Sequence, residues 1–475
     1  MDASVSGLLT RMWDAVGTPG SGGAEALEAV EASGPRVVLP SVFDVTGLAT
    51  CAVAAATLAA AHLHAVRRSE PLRPVTVEST QASAAFRAEA LFAPAGWTLP
   101  SLWGPLAGNY RTADGWIRLH TNYAHHRAAV CAVLGAEDRD GVRAAVAGCA
   151  AEELEGRIVE AGGAAAALRT REEWLSSDAG EATRDAPLFT FEERESAAEA
   201  LWPKGRAALP FSGVRVLDLT RVIAGPVCTK FLAAYGADVL RLDPPGFDEV
   251  ASLLPETTVG KRTAAVDLGT AEGRGAFEAL VTDADVLVTG YRADALAKLG
   301  YDDGALAALS PGLVIARLNA YGWDGPWQNR RGFDSLVQMS CGIASDGAAA
   351  LCRDEPVPLP AQALDHATGW LLAATVARAL TRRFTTGAGT SVRGSLIGTA
   401  NLLYSLVPPA DPLTPTDPPA PEASPTAAAV LEDTRTAWGL GRRVALPGSI
   451  DGIRPRWVHE AGPLGHHPPC WEERV

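Results

Sequence analysis

Between Gly213 and Asp243 the chain alternates strand and helix signals so closely that few folds remain open to it. Residues 214–219 form a valine and leucine run, as expected of a buried parallel strand. A turn over 220–225 follows, and Pro226 stands where a helix can begin, its missing N–H costing nothing there. Residues 227–235 read as helix, Gly236 as its stop, and 237–242 as a second strand. Strand, turn, helix and strand make a βαβ unit, which implies a parallel sheet with a ligand crevice at its carboxyl ends.

A dinucleotide is the obvious ligand for such a unit, and Asp243 lies about where a ribose-binding acid would stand. The turn argues otherwise. Thr220-Arg-Val-Ile-Ala-Gly225 lacks the glycine spacing that lets backbone approach a pyrophosphate. Arg221, at the strand end, points instead to a phosphate met by a side chain.

At 475 residues, two or three domains are expected. A net charge of −14 disfavours non-specific binding to nucleic acid or an anionic membrane, so a polyanionic ligand needs a local basic cluster. Seven scattered cysteines show no C-x-x-C spacing, consistent with a reduced, cytoplasmic setting. Met1-Asp-Ala-Ser-Val-Ser has no signal-peptide character. The alanine-rich apolar run over 52–61 is too short to span a membrane. The histidine pairs 125–126 and 466–467 lack partners at ligand spacing, so no metal site is expected.

Before the βαβ unit, residues 8–16 and 46–66 read as helices, 75–79 as a strand and 81–91 as a helix. Residues 106–119 hold an Asp-Gly turn between two alternating apolar runs, a hairpin signal. Helical patterns follow over 124–134, 139–147, 151–161 and 171–175. Residues 408–425, with eight prolines, read as a linker.

Asp-Leu-Thr-Arg-Val-Ile-Ala-Gly-Pro226 and Gly236-Ala-Asp-Val-Leu-Arg-Leu-Asp-Pro-Pro245 resemble the opening of the class III CoA-transferases. The likeness continues in order through Gly260-Lys-Arg-Thr, Thr289-Gly-Tyr-Arg292, Tyr321-Gly-Trp-Asp-Gly-Pro326 and Arg331-Gly-Phe-Asp334 to Leu364-Asp-His-Ala-Thr-Gly369. Asn109-Tyr-Arg-Thr-Ala-Asp-Gly-Trp-Ile117 resembles the entry to that family's small domain, which here precedes the nucleotide core. Phe43-Asp-Val-Thr-Gly-Leu48 resembles Leu364-Asp-His-Ala-Thr-Gly369, as if the chain held two unequal copies of one fold.

The resemblance implies an α/β protein, with a doubly wound Rossmann-like parallel-sheet core and a smaller α+β domain. The expected divisions are a partial first copy over 1–100, the small domain over 101–207 and the core with its catalytic helix over 208–407. A Pro-rich linker over 408–430 and a tail over 431–475 packing back on the core complete the chain. It further implies a CoA-transferase that moves CoA from an acyl-CoA to a carboxylic acid, with no tightly bound cofactor. A homodimer is expected, because the family forms interlocked dimers.

By position alone Asp365 reads as a helix cap; the resemblance makes it the nucleophile. Asp44, in the first copy, is the rival and reads as a cap. Arg221, Val222 and Ala224 match the turn along the cofactor, Lys261 and Arg262 a basic pair near its phosphates, and Tyr291 with Arg292 an aromatic–arginine pair beside the adenine. In the racemase branch of the family a histidine stands where this chain has Phe333. An isomerase on the same scaffold, or a non-catalytic CoA-binding subunit, are the alternatives.

Overall fold

The βαβ unit is the centre of a seven-stranded sheet. In this computed structural model residues 3–18, 24–195, 207–408 and 430–473 are described. Most of the proline-rich segment (409–429) lies outside them. The strands are β1 (Phe189–Arg194), β2 (Arg215–Leu219), β3 (Asp238–Asp243), β4 (Lys261–Ala265), β5 (Val286–Thr289), β6 (Val314–Asn319) and β7 (Gly389–Ser395). Their order across the sheet is β4-β3-β2-β5-β6-β7-β1, with β2 to β7 parallel and β1 antiparallel on the edge. From β2 the chain winds outward to β4, then returns to β5 on the other side of β2. Ligands bind outside the carboxyl ends of strands where the winding reverses in this way.

Six helices place side chains near that point: α1 (Val45–Arg68), α2 (Ala88–Leu91), α3 (Ala124–Leu134), α4 (Ala224–Ala234), α5 (Asp334–Ser340) and α6 (Ala363–Thr386). Helices α1 and α6 are each 24 residues long and pack against one another. Among the described residues α1 alone is long and apolar enough to cross a membrane, yet 94% of its apolar window is buried in protein. It is a core helix. Its alanine face lets α6 approach closely, while α4 packs on α6 as well.

The helix expected over 81–91 is two short ones. Ser79–Ala85 is capped by the Glu78 carboxylate, which accepts the N–H groups of Thr80 and Gln81. At Arg87 the backbone leaves the helical region (φ −128°, ψ 19°), and α2 restarts in a new direction. That break turns Phe86 and Glu89 toward α6.

The strands Gly108–Arg111, Trp116–Leu119 and Ala165–Ala167 form an antiparallel sheet with its own apolar cluster under α3, Arg139–Ala147 and Ala151–Glu160. This small unit leans on α5 through Ala164 and Ala166 against Leu336 and Met339. The carboxyl-terminal strands pair with the amino-terminal part of the chain: Ser449–Ile450 beside Val75–Glu78, and Gly439–Val444 beside Ala93–Pro94. Farther on, His467 donates its N–H to Thr263 on β4.

Candidate active site

A cavity of about 550 Å³ opens at the carboxyl ends of β2, β3, β5 and β6. Its wall includes Arg221, Val222, Ala224, Tyr291, Arg292 and Asp365, so the fold gathers six of the eight residues singled out in the sequence.

The turn after β2 forms one side. Val222 has φ +63°, a left-handed conformation that a β-branched residue adopts only under constraint. Its N–H donates to Glu249 Oε2 at 3.3 Å. Glu249 is anchored in turn by Arg241 (3.0 Å) and by the Tyr123 hydroxyl (2.7 Å), and Arg241 forks onto Asp243 at 2.8 and 3.1 Å. This buried network holds the turn against the small unit. No side chain caps α4, which starts at Ala224 on the cavity wall.

Arg221 lies over the Phe247 ring at 3.6 Å and 5.0 Å from the Tyr291 ring centre, with Asp243 Oδ1 3.7 Å from its Nε. A guanidinium held flat between aromatic rings keeps its edge available for phosphate or a base. Among the described residues Arg292 and Arg331, also on the wall, form no ion pair.

Asp365 forms the opposite side. It is not the cap of α6; Gln362 holds that position and makes no side-chain cap bond. The cap comes from another element: Asp334 Oδ2 accepts the Asp365 N–H at 2.9 Å, and Gln338 binds the other oxygen of Asp334. Asp365 is 6% exposed and Asp334 fully buried. Burial, then the charges of Asp334 and Glu89, push the Asp365 carboxyl well above the usual carboxylate range. Burial also raises Asp334, against the bonds it accepts.

Gly369 explains how Asp365 and the turn come together. A Cβ there would fall 2.4 Å from the Ala224 carbonyl oxygen and 2.8 Å from Val227 Cβ. Only a bare backbone lets α6 press so closely on α4.

Lys261 and Arg262 do not reach this cavity. Lys261 is fully buried, with Nζ 3.0 Å from Asp218 Oδ2 and 3.3 Å from the Pro226 carbonyl. Burial brings its amine down to about 8. Arg262 forks onto Asp238 and donates to the Cys470 carbonyl at 2.6 Å. The physical reason is strand alternation: both lie within β4, before its carboxyl end, and point to the sheet faces where helix α4 and the tail pack. Asp44 caps α1, accepting the Gly47 N–H at 2.8 Å, and is absent from the cavity wall.

Three residues on or behind the wall carried little signal in the sequence. Tyr123 and His126, from the small unit, line the cavity, and His120 lies parallel on Phe333 at 3.6 Å. Burial pushes both His120 and His126 down to about 3, leaving neutral rings. Asp334, which closes the Arg-Gly-Phe-Asp run, reads from the sequence equally as a polar anchor, a core hydrogen bond or a cap; the structure gives it a cap on α6, a helix the sequence pattern does not join to it.

Residues 211–430 match the model of CoA-transferase family III. The likeness to that family lies in this stretch, a little under half of the chain. An acetyl-coenzyme A transferase of Hypoxylon pulicicidum is 32% identical over 222 residues, covering 44% of this chain and 37% of its own length. A probable fatty acyl-CoA transferase of Mycobacterium tuberculosis is 31% identical over 211 residues, 42% of this chain and 53% of its own. Formyl-CoA:oxalate CoA-transferase of Escherichia coli O81 is 30% identical over 200 residues, 39% and 47% respectively. The chain thus spans about half or less of the length of these relatives. A crystal structure of the M. tuberculosis protein aligns over 41% of this chain and 56% of its own, with a TM-score of 0.37 and 32% identity.

Proposed function

We propose that this chain transfers CoA from an acyl-CoA to a carboxylic acid, with Asp365 as the nucleophile. One observation carries the reading: Asp365 and the turn Arg221–Val222–Ala224 share one cavity at the carboxyl ends of the parallel strands. In this reading the turn would hold the nucleotide and the carboxylate would react within the same chamber. The family III match over 211–430 and the CoA-transferase names of the relatives support it.

In this reading the Asp365 carboxylate attacks the thioester carbonyl and CoA leaves as thiolate, giving a mixed anhydride. The thiolate then attacks the aspartyl carbonyl, expelling the donor acid and leaving CoA on Asp365 as a thioester. The acceptor carboxylate attacks that thioester, expelling CoA thiolate and forming a second mixed anhydride, and the thiolate then attacks its acceptor carbonyl, giving the acceptor acyl-CoA and freeing the Asp365 carboxylate. Each step is an acyl transfer between a carboxylate and a thiolate with no net oxidation or reduction, so the reaction calls for no redox cofactor. Arg221, Arg292 and Arg331 supply cations for the phosphates, with Tyr291 as a stacking plane. The high proton affinity of Asp365 makes its ionised form a strong nucleophile.

The test is to incubate the protein with a mixed acyl-CoA pool, quench with hydroxylamine and map the peptides by mass spectrometry. A hydroxamate on Asp365, absent in Asp365→Asn, is the expected result. Label on Asp44 instead, or none on a protein that binds CoA, sinks the proposal.

A second reading draws on His126, a neutral imidazole on the same wall whose ring nitrogens have no partner among the described residues. Burial leaves that ring a weak base, so in this reading Asp365, whose proton affinity is raised, takes the proton from an acyl α-carbon and the neutral His126 ring only offers a hydrogen-bonding partner. Solvent deuterium entering the α-carbon without CoA exchange would favour this isomerase.

A further inference from the structure

The segment before the small unit matches a catalytic-helix region whose acid, Asp44, is spent on a helix cap. That leaves its neighbours to be accounted for, because they converge on the residue next to the proposed nucleophile. The Glu89 carboxylate accepts from His366 Nε2 at 3.0 Å, with both side chains almost wholly buried at 7% and 2% exposure. Phe86 stacks on the same imidazole, 5.3 Å between ring centres and 22° between planes. His366 is therefore gripped on its edge and on its face by the two residues that the break at Arg87 turns inward.

We propose that Glu89 is a positioning residue of the active site, which through His366 fixes the first turn of α6 and with it the direction of the Asp365 carboxylate. This rests on the transferase reading above. It assigns the first 100 residues a part in catalysis beyond covering the core.

Three features make the grip consequential. Gln362 leaves α6 without a side-chain cap of its own, so its first turn is fixed from outside. Asp334 holds that turn from α5 through the Asp365 N–H, and Glu89 holds it from α2 through His366. Two independent anchors on consecutive residues determine both the axis and the rotation of a helix end. A misplacement of about 1 Å at a reacting group costs on the order of a hundredfold in rate.

Charge separates this role from simple packing. Around Asp365 stand Asp334 on α5, Glu89 on α2 and His366 on its own helix, with His126, Arg221 and Arg331 across the cavity. Lys230 on α4, paired with Glu256, acts on Glu89 from the other side. Removing the Glu89 charge takes one of two carboxylates away from Asp365 and eases its ionisation.

The experiment compares wild type, Glu89→Gln, Glu89→Ala and Glu89→Ala/His366→Ala. Each is read for the rate of hydroxamate labelling at Asp365 between pH 5 and 9, and for CoA affinity by calorimetry. Glu89→Ala should lose labelling rate by about tenfold or more, with CoA affinity held within about twofold. The double variant should label no more slowly than Glu89→Ala. Glu89→Gln keeps the side chain's shape and an acceptor for His366; its labelling midpoint should move to lower pH, a displacement that a purely structural contact would not produce. Glu89→Gln with wild-type rate and midpoint overturns the assignment, also where Glu89→Ala fails to fold. Wild-type protein that binds CoA but is never labelled at Asp365 overturns the transferase reading along with it. A labelled wild type beside an unaffected Glu89→Gln overturns the Glu89 role alone.

Discussion

Asp334 Oδ2 accepts the backbone N–H of Asp365 at 2.9 Å, so one buried carboxylate both caps the helix and stands beside the acid at its start. The cap stabilises the helix end, while the charge that makes it effective opposes ionisation of Asp365.

Asp365→Asn is expected to be more stable than the wild type, increasingly so as pH rises. Folding raises the proton affinity of Asp365, so between the unfolded pKa of about 4 and the higher folded value the native state holds more protons than the unfolded one. Wild-type stability therefore falls as pH rises through that window, and the asparagine variant lacks this loss. Urea midpoints of the two proteins at several pH values check it; a difference that shrinks with rising pH contradicts the account.

Gly369→Ala should damage CoA binding and Asp365 labelling together. Its Cβ would fall 2.4 Å from the Ala224 carbonyl oxygen, so α6 and α4 must separate, at about 1–3 kcal/mol of stability. Thermal unfolding and calorimetry with CoA, run on the same preparation, are the readouts. Loss of stability with intact binding would mean that the two helices move as one.

Arg221→Lys keeps the charge and removes the plane that lies on Phe247. A weakening of CoA binding by about tenfold is expected, since a flexible ammonium replaces a preorganised fork. Isothermal titration measures it directly; unchanged affinity would show that charge alone matters at this position.

Lys261→Ala should behave as a folding mutant. It strands the Asp218 carboxylate in the core, a loss of about 3–5 kcal/mol for a broken buried pair. In the folded fraction CoA affinity should match wild type. A selective loss of affinity with normal stability would return Lys261 to the phosphate site.

The core of the fold was legible in the sequence because parallel strands buried on both faces are written as unbroken apolar runs. The run over 214–219 became β2 (Arg215–Leu219), and the turn after it brought Arg221, Val222 and Ala224 to the cavity. Lys261 and Arg262 were misplaced because adjacency in a motif says nothing of how far along a strand a residue lies, and both sit before the carboxyl end of β4. The break at Arg87 has no glycine or proline to announce it; packing of Phe86 and Glu89 on His366 overrides a sequence that favours helix throughout. Contacts such as Asp334 with Asp365, or Tyr123 with Glu249, join residues far apart in the chain, and no local pattern encodes them.

Helix α1 covers α6 from within the same chain. A cover tethered by the backbone is always present at a fixed effective concentration, however dilute the protein.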